Sequence, residues 1–201
     1  MSVYIIDKCE RFVSQRAGCG KTARPEFCEG CTTVRGAPTR PMKYPEAAEK
    51  AGFEHFMMKE IHEQPKAVHD TLNSVLKDDH IDLTEVGLTE EDIRKISQIY
   101  IVACGSAYHV GMAAQYVIED LARIPVRVEL ASEFRYRNPI LDPNGLVIIV
   151  SQSGETADSL AALREAKQNG IRTLGIVNVV GSSIAREADN VFYTLAVRKS
   201  P

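Results

Sequence analysis

The sequence predicts a three-layer α/β domain with a mainly parallel, five-stranded sheet between helices, preceded by helices and an irregular N-terminal extension. Two observations carry this prediction. From residue 98 onward, apolar runs alternate with amphipathic runs, each about as long as one strand or one helix. The apolar runs are continuous, as is typical of strands buried on both faces of a parallel sheet. This alternation implies parallel pairing with right-handed crossovers.

Five apolar runs are the predicted strands. In chain order they are residues 98–105, 126–134, 145–154, 173–180 and 190–197. The predicted helices between them are amphipathic, and they comprise residues 107–124, 156–170 and 182–189. Gly170 closes the second of these helices, as glycine commonly does just beyond a helix end. Together these elements make up a predicted sheet domain, residues 97–201.

Residues 44–96 are a predicted helical lead-in to the sheet domain. A short helix is followed by a longer one, and Pro65 is expected to begin a new helical segment. Thr89 is the predicted N-cap of a further short helix. His55 and His62 lie two helical turns apart, too far to share one metal ion comfortably, so an ordinary polar helix face is the preferred interpretation.

Residues 1–43 form an irregular extension with no assigned domain. They keep no helical or strand period, and they are either a flexible extension or translated sequence foreign to the domain. Cys28 and Cys31 have the spacing of half a zinc site, but the partner pair, Cys9 and Cys19, matches no ordinary zinc knuckle. Unpaired thiols are therefore preferred to a metal site, and no metal or cofactor is expected.

Composition and charge exclude several classes of protein. Hydrophobic residues make up 44% and charged residues 25% of the chain, as expected for a globular body. The formal net charge of -3 argues against a protein that neutralises nucleic-acid phosphates. No apolar run approaches the roughly 18 residues that a membrane span needs. The N-terminus lacks the apolar core of a signal peptide, so the expected location is cytoplasmic, with no membrane or nucleic-acid partner.

Two loops at the carboxyl ends of predicted strands are the best candidates for ligand binding. "ACGSAY", residues 103–108, follows the first strand, and "SQSGET", residues 151–156, follows the third. Ligands of open parallel sheets lie outside the carboxyl ends of the strands, and a helix N-terminus offers unpaired N–H groups and a positive dipole end. Ser151, Ser153 and Thr156 add hydroxyl donors, while Gly154 permits close approach of the backbone.

Neither loop contains lysine or arginine, so the predicted anion is held by neutral donors. Such a site suits a sugar phosphate that must be released again. The alternative is that Ser153 and Thr156 only cap the following helix while Glu155 lies favourably in its first turn. Capping needs one hydroxyl, whereas this loop has three and a glutamine, so phosphate binding is preferred. Cys104 is interpreted as a small core residue rather than a nucleophile.

Five segments together resemble one enzyme family. They are "HFMMKEIHEQP", "ACGSAYHVG", "ASEFRYR", "SQSGETADSLAALREAK" and "VNVVGSSIAREAD". In this order they are similar to the first sugar isomerase (SIS) domain of glutamine–fructose-6-phosphate aminotransferase, also called glucosamine-6-phosphate synthase. The resemblance covers roughly residues 47–196. "SQSGET" by itself would indicate only an SIS domain.

The resemblance implies a five-stranded parallel sheet that contributes much of a fructose-6-phosphate site. The residues implied to bind the substrate phosphate are Ser106, Ser151, Gln152, Ser153 and Thr156. Those implied to support the loops are Cys104, Gly105, Gly154 and Glu155. Ser106 stands where the family usually has threonine and keeps the hydroxyl. Ala107 stands where serine is common, which removes one donor worth about 0.5–1.5 kcal/mol if that bond was made.

The resemblance also implies what the whole enzyme needs for catalysis. The family has an N-terminal glutaminase that opens with "CGIVG" and a second SIS domain with the isomerisation residues; neither is found in this sequence. The chain is therefore expected to bind fructose-6-phosphate or glucosamine-6-phosphate, to be inactive alone with no catalytic residue, and to form a homodimer. A stand-alone SIS sugar-phosphate sensor and a scaffold that only dimerises are the alternatives.

Overall fold

The structure is a computed structural model that describes residues 52–78 and 80–196. The predictions for residues 1–43, including the four cysteines there, lie outside the described residues. Two structural units divide at Glu63, so that one holds the described residues 52–63 and the other holds 64–78 and 80–196. No helix in these described ranges combines the length and apolarity needed to cross a lipid bilayer.

The described helices are α1 Phe56–Asn73, α2 Glu90–Arg94, α3 Ser106–Ala122, α4 Ala131–Tyr136, α5 Ala157–Gln168 and α6 Ser183–Glu187. The described strands are β1 Leu76–Lys77, β2 His80–Ile81, β3 Gln98–Ala103, β4 Val126–Leu130, β5 Gly145–Ser151, β6 Arg172–Val177 and β7 Asn190–Tyr193. Strands β3 to β7 form one sheet in the order β4-β3-β5-β6-β7, and every neighbouring pair is parallel. The predicted five-stranded parallel sheet is confirmed.

The sheet is covered on both faces, because successive residues of a strand point to opposite sides. Val102, Val147 and Ile149 pack on one face with the buried side chains of α4, α5 and α6. Ile99 and Ile101 face the other side, where they pack with α3. The residues before β3, from Leu83 to Ile96, cover the remainder of that second face. These two apolar layers with the sheet between them are the predicted three-layer arrangement.

The strand order contains one switch point, between β3 and β5. The chain passes from β3 outward to β4, returns to β5 on the opposite side of β3, and then continues outward to β6 and β7. At such a point the loops leaving two neighbouring strands diverge to opposite faces, and the crevice between them is the usual ligand site of open α/β sheets. The loops that follow β3 and β5 are the two that the sequence analysis singled out.

The second predicted strand was too long. β4 pairs with β3 only up to Leu130, and residues 131–136 form α4 instead. Ala131 and Phe134 are three residues apart and fully buried in the core, which is the spacing of one face of a helix. Their burial against the sheet outweighs the strand-like alternation of the preceding residues. The third, fourth and fifth strands likewise end earlier than predicted, at Ser151, Val177 and Tyr193.

The lead-in also differs from its prediction. Pro65 lies inside the continuous helix α1 rather than at the start of a new one. A proline there lacks the N–H that would bond to the carbonyl of Ile61, so the helix continues past Pro65 with that one bond missing. A two-stranded antiparallel pair, β1 with β2, and a 3-10 turn at Thr84–Val86 follow α1. The sequence analysis did not anticipate either.

Thr89 is the N-cap of α2, as predicted. Its side chain accepts a hydrogen bond from the Asp92 N–H, and the Asp92 carboxylate accepts one from the Thr89 N–H. This reciprocal pair is a capping box. Arg172, the first residue of β6, donates to the same carboxylate at 2.6 Å. Asp92 therefore joins the lead-in to the sheet.

The Asp92 carboxylate makes stability depend on pH in the acid range. The hydrogen bond from Arg172, followed by those from Thr89, holds the pKa of Asp92 well below its ordinary value of 3.8. A depressed pKa means that the carboxylate contributes stability above the unfolded-state pKa and loses it as the pH falls toward the folded-state pKa. We expect Asp92→Asn to lower the midpoint of thermal unfolding at pH 7 and to have progressively less effect below pH 4.

The control for this prediction is Glu91→Gln. Glu91 pairs with Lys95 one turn along α2, but its side chain is 79% exposed, and exposed pairs of this kind contribute little. The thermal unfolding midpoint of this variant should equal that of the unaltered chain across the pH range. If Asp92→Asn lowered the thermal unfolding midpoint equally at pH 7 and pH 2, the stabilising role assigned to the Asp92 carboxylate would be contradicted.

Candidate functional site

The two candidate loops leave adjacent strands at the same edge of the sheet. Ala103, the last residue of β3, is in register with Val150, one residue before the end of β5. Because the strands are parallel, both loops start at the carboxyl edge, at the switch point. Ser159 in α5 donates to the Cys104 sulfur at 3.7 Å, which ties the helix after the second loop to the first loop. The structure therefore brings the two loops together.

The first loop presents Ser106 to solvent at the start of α3. Gly105 precedes it with φ 57° and ψ −132°, a backbone conformation that L residues rarely adopt. Ser106 is exposed, whereas Ala107 is buried at 7% exposure and makes part of the core. Cys104 is half-buried and packs against the main core cluster, in agreement with its interpretation as a core residue.

The second loop is held in shape by its own hydroxyls. The Gly154 N–H donates to Ser151 Oγ at 3.1 Å, and the Glu155 N–H donates to Ser153 Oγ at 3.3 Å. Ser151 Oγ also lies 3.1 Å from Thr156 Oγ1. Either hydroxyl of the Ser151–Thr156 pair can be the donor. With Ser151 as the donor, the Thr156 hydrogen is available to a ligand, and the Ser153 hydroxyl, which accepts from the Glu155 N–H, also keeps its hydrogen.

Thr156 occupies the N-cap position of α5 but does not cap the helix with its side chain. A capping threonine would accept a bond from an N–H in the first turn. Here the Thr156 hydroxyl contacts the Ser151 hydroxyl instead. The first-turn N–H groups of α5 therefore receive no hydrogen bond from the Thr156 side chain. This geometry differs from the capping alternative and leaves both the hydroxyl and the end of α5 to an anion.

Gly154 permits direct contact between the loop and α6. Its φ is 65°, and a Cβ at this position would lie 2.0 Å from Ser182 Oγ and 2.5 Å from Ser182 Cβ. Ser182 is 3% exposed, and its buried hydroxyl has no hydrogen-bond partner among residues 52–78 and 80–196. The Gly154 carbonyl accepts a bond from the Ile184 N–H at 3.0 Å. The loop and α6 therefore pack backbone against backbone.

Glu155 anchors the loop to α6. Its carboxylate accepts bonds from the Ser183 N–H at 2.7 Å and from the Ser183 hydroxyl at 2.8 Å. The residue precedes the N-cap of α5, so it is not in the first turn of that helix, as the capping alternative assumed. It acts instead on the first turn of α6, where a carboxylate complements the unpaired N–H groups. The carboxylate is engaged in the fold rather than directed to a ligand.

Gln152 is attached to the next strand through its backbone. Its carbonyl accepts a bond from the Asn178 N–H at 3.1 Å, immediately after β6, and its side chain is half-buried. Asn178 in turn accepts bonds from Thr194 and Ala196. The residues that follow β5, β6 and β7 are thus connected along the carboxyl edge of the sheet.

Sequence reasoning missed two arginines near the second loop. Arg135 in α4 donates to Asp158 in the first turn of α5 at 2.7 Å. Arg186 in α6 lies 3.1 Å from the hydroxyl of Ser183, the residue that holds Glu155. Both arginines stand in quoted motifs, but nothing in the sequence indicates that Arg135 pairs with Asp158, 23 residues away, or that Arg186 contacts the residue that holds Glu155. The second loop therefore carries one charge of its own, on Glu155, and the two arginines beyond the loop are engaged by Asp158 and Ser183.

Two other kinds of site were considered. Within the described ranges, no group of three or more His, Cys, Asp or Glu side chains is arranged to hold a metal ion. A pocket exists at the opposite, amino edge of the sheet, lined by Lys167, Gly170, Ile171, Arg172 and Asp189. Lys167 pairs there with Asp189 at 2.7 Å, and Arg172 pairs with Asp92, so the charges are already matched within the fold. The carboxyl edge remains the better candidate.

Comparison with known proteins defines the class. Residues 92–200 match the model of the SIS domain family, which is more than half of the chain. The fold, with hydroxyl loops at its switch point, agrees with that match. The chain belongs to the SIS domain family.

Individual relatives indicate a more specific relationship than the family model does. Over 152 residues the chain is 60% identical to "Glutamine--fructose-6-phosphate aminotransferase [isomerizing]" of Caldanaerobacter subterraneus subsp. tengcongensis, and 59% identical to the protein of the same name in Clostridium tetani. Each match covers 75% of this chain and 25% of the relative, so the chain spans about a quarter of the length of these proteins. The SIS domain of this chain is homologous to theirs, which confirms the resemblance.

Solved structures agree with this relationship. The C-terminal domain of glucosamine-fructose-6-phosphate aminotransferase from Francisella tularensis matches with a TM-score of 0.70 and 43% identity, over 76% of this chain and 43% of that one. The sugar isomerase domain of an RpiR transcription factor from Sphaerobacter thermophilus matches with a TM-score of 0.53 and 23% identity, over 68% and 74% of the two chains. The second likeness shows the shared fold alone.

Proposed function

We propose that this SIS domain binds fructose-6-phosphate through its phosphate, at the carboxyl edge between β3 and β5. The observation that carries the proposal is the Thr156 hydroxyl. It stands at the N-cap position of α5 without capping the helix, and it lies 3.1 Å from Ser151 Oγ, so it can donate to a ligand when Ser151 donates to it. The homology to enzymes named for fructose-6-phosphate supports the choice of sugar.

Each residue of the proposed site has a physical role. Thr156, Ser153 and Ser106 donate hydroxyl bonds to phosphate oxygens, and the first-turn N–H groups of α5 add the positive end of the helix dipole. Ser151 is 3% exposed, so it orients Thr156 and reaches the phosphate only from beneath. Gln152 lies beside them and contributes amide donors. Gly105 and Gly154 let the backbone approach the ligand, while Cys104 and Glu155 hold the loops in place.

The contribution of these loops is binding rather than proton transfer. Isomerisation of a hexose phosphate requires a base that moves a proton between neighbouring carbons. Glu155 is the one carboxylate within the second loop, and it is engaged by both donors of Ser183. Glucosamine-6-phosphate synthesis is accordingly proposed as the activity of the larger proteins to which this domain is homologous, with glucosamine-6-phosphate as a second ligand of the same site.

Two further proposals concern the location and the oligomeric state of the protein. We propose a cytoplasmic location, because a phosphorylated sugar is too polar to cross a lipid bilayer unaided.

We also propose a homodimer. The outer side of α3 supports it, since Val110, Tyr116, Val117 and Leu121 are all more than half exposed. Apolar area of this extent on a helix is typical of an interaction surface.

Calorimetric titration of the purified chain tests the proposal. Fructose-6-phosphate and glucosamine-6-phosphate are each expected to bind with one site per chain, and fructose without the phosphate is expected not to bind at the same concentrations. Binding should also raise the thermal unfolding midpoint as the ligand concentration passes the dissociation constant. Equal responses to fructose and to its phosphate, or no response to millimolar fructose-6-phosphate, would contradict the proposal.

A further inference from the structure

An ion pair lies at the end of α5 that faces the proposed phosphate site. Arg135 Nη1 of α4 is 2.7 Å from Asp158 Oδ1, and the two side chains are 31% and 40% exposed. The guanidinium carbon of Arg135 also lies 4.6 Å from the centroid of the Tyr136 ring. Two partners therefore hold the arginine in place. The hydrogen bond that Arg135 donates to Asp158 raises the pKa of Arg135 above its ordinary value, so the arginine stays charged.

Asp158 places a negative charge beside the proposed phosphate site. It is the second residue of α5, in the turn whose N–H groups would receive the phosphate. Its negative charge complements the helix dipole and so competes with the phosphate for the same positive end. A sugar phosphate is largely a dianion at neutral pH, since its second pKa is about 6. An uncompensated carboxylate in this turn would repel it.

We propose that Arg135 is a positioning residue that neutralises Asp158 and thereby allows the N-terminus of α5 to accept a phosphate dianion. The inference rests on the proposed function of this site. Arg135 touches no loop hydroxyl and acts through Asp158, which explains how two loops without lysine or arginine retain a favourable field for an anion. Charges a few ångströms apart at a half-exposed position interact strongly enough to change affinity severalfold.

A double-mutant cycle tests this inference. Calorimetry with fructose-6-phosphate, at about 20 mM and about 300 mM salt, is carried out on the unaltered chain, Arg135→Gln, Asp158→Asn and the double variant. Arg135→Gln is expected to weaken binding about three- to tenfold at low salt and less at high salt, because screening shortens the reach of the exposed carboxylate. Asp158→Asn should stay within twofold of the unaltered chain, and the double variant should recover to within about threefold.

A structural role for the pair makes a different prediction. If the ion pair served only to tie α4 to α5, Asp158→Asn would weaken binding as much as Arg135→Gln, and the double variant would not recover. Either result overturns the inference. Arg135→Lys is the control that keeps the charge and should bind within about threefold of the unaltered chain. Failure of the unaltered chain to bind would instead overturn the proposed function itself, so the two failures are distinguishable.

Discussion

Replacing Gly154 by alanine is expected to destabilise the domain by about 2–5 kcal/mol and to abolish sugar-phosphate binding. The left-handed φ of 65° costs an alanine about 1–2 kcal/mol. The new Cβ would also lie 2.5 Å from Ser182 Cβ, next to the backbone of a buried residue, so the segments themselves must separate. Overpacking of this kind costs about 1–3 kcal/mol. Separation would break the bonds from Ser183 to Glu155 and leave the loop without its support.

Gly170→Ala is the matched control. Gly170 has a similar φ of 73°, but nothing lies within 4 Å of the position that its Cβ would take. This variant should show only the same conformational cost, about 1–2 kcal/mol, with unchanged ligand affinity. Urea denaturation gives both free energies of unfolding, and calorimetry gives both affinities. Equal destabilisation by the two substitutions would show that contact with Ser182 is unimportant.

Thr156→Val is expected to weaken fructose-6-phosphate binding about 10- to 100-fold. Valine has nearly the shape of threonine and suits the extended N-cap backbone, but it cannot donate to a phosphate. Hydrogen bonds to charged groups contribute about 1.5–3 kcal/mol, which sets the size of the loss. The free energy of unfolding should fall by no more than about 1 kcal/mol, since only the bond between Ser151 and Thr156 is lost. Calorimetry and urea denaturation measure the two quantities.

The control for this prediction is Thr84→Val. Thr84 is an exposed threonine in the 3-10 turn before α2, outside both candidate loops. Its substitution should leave the affinity unchanged. Undiminished binding by Thr156→Val would mean that the hydroxyl merely supports the fold, and the role assigned to it would be wrong.

Much of the fold follows from local patterns in the sequence. The continuous apolar runs at β3, β5 and β6 predict buried parallel strands, and Thr89 predicts the start of α2. The elements that were missed have weak local signals. α4 has only six residues, and its N-cap residue Leu130 offers no side-chain cap, so its burial against the core becomes visible only in three dimensions. β1 and β2 have two residues each, too few to show a period.

The candidate site also contains residues that local sequence patterns reveal and residues that only the three-dimensional packing reveals. The hydroxyls of residues 151–156 were found because a strand, a loop and a helix N-terminus follow one another in the chain. Ser182 and Ser183 were not found, because packing brings them to the loop from 28 residues away, and Arg135 was not found, because its partner Asp158 lies 23 residues further along the chain. The resemblance implied that Gly154 and Glu155 support the loops, but no local pattern in the sequence indicates that this support comes from α6.

A crystal structure of the chain with fructose-6-phosphate tests the central claim most directly. The account predicts that the phosphate lies between the loops after β3 and β5, with its oxygens within about 3 Å of Thr156 Oγ1, Ser153 Oγ and Ser106 Oγ. Glu155 should keep its bonds to Ser183. A bound sugar whose phosphate lies away from the end of α5, or points from this edge toward solvent, would contradict it.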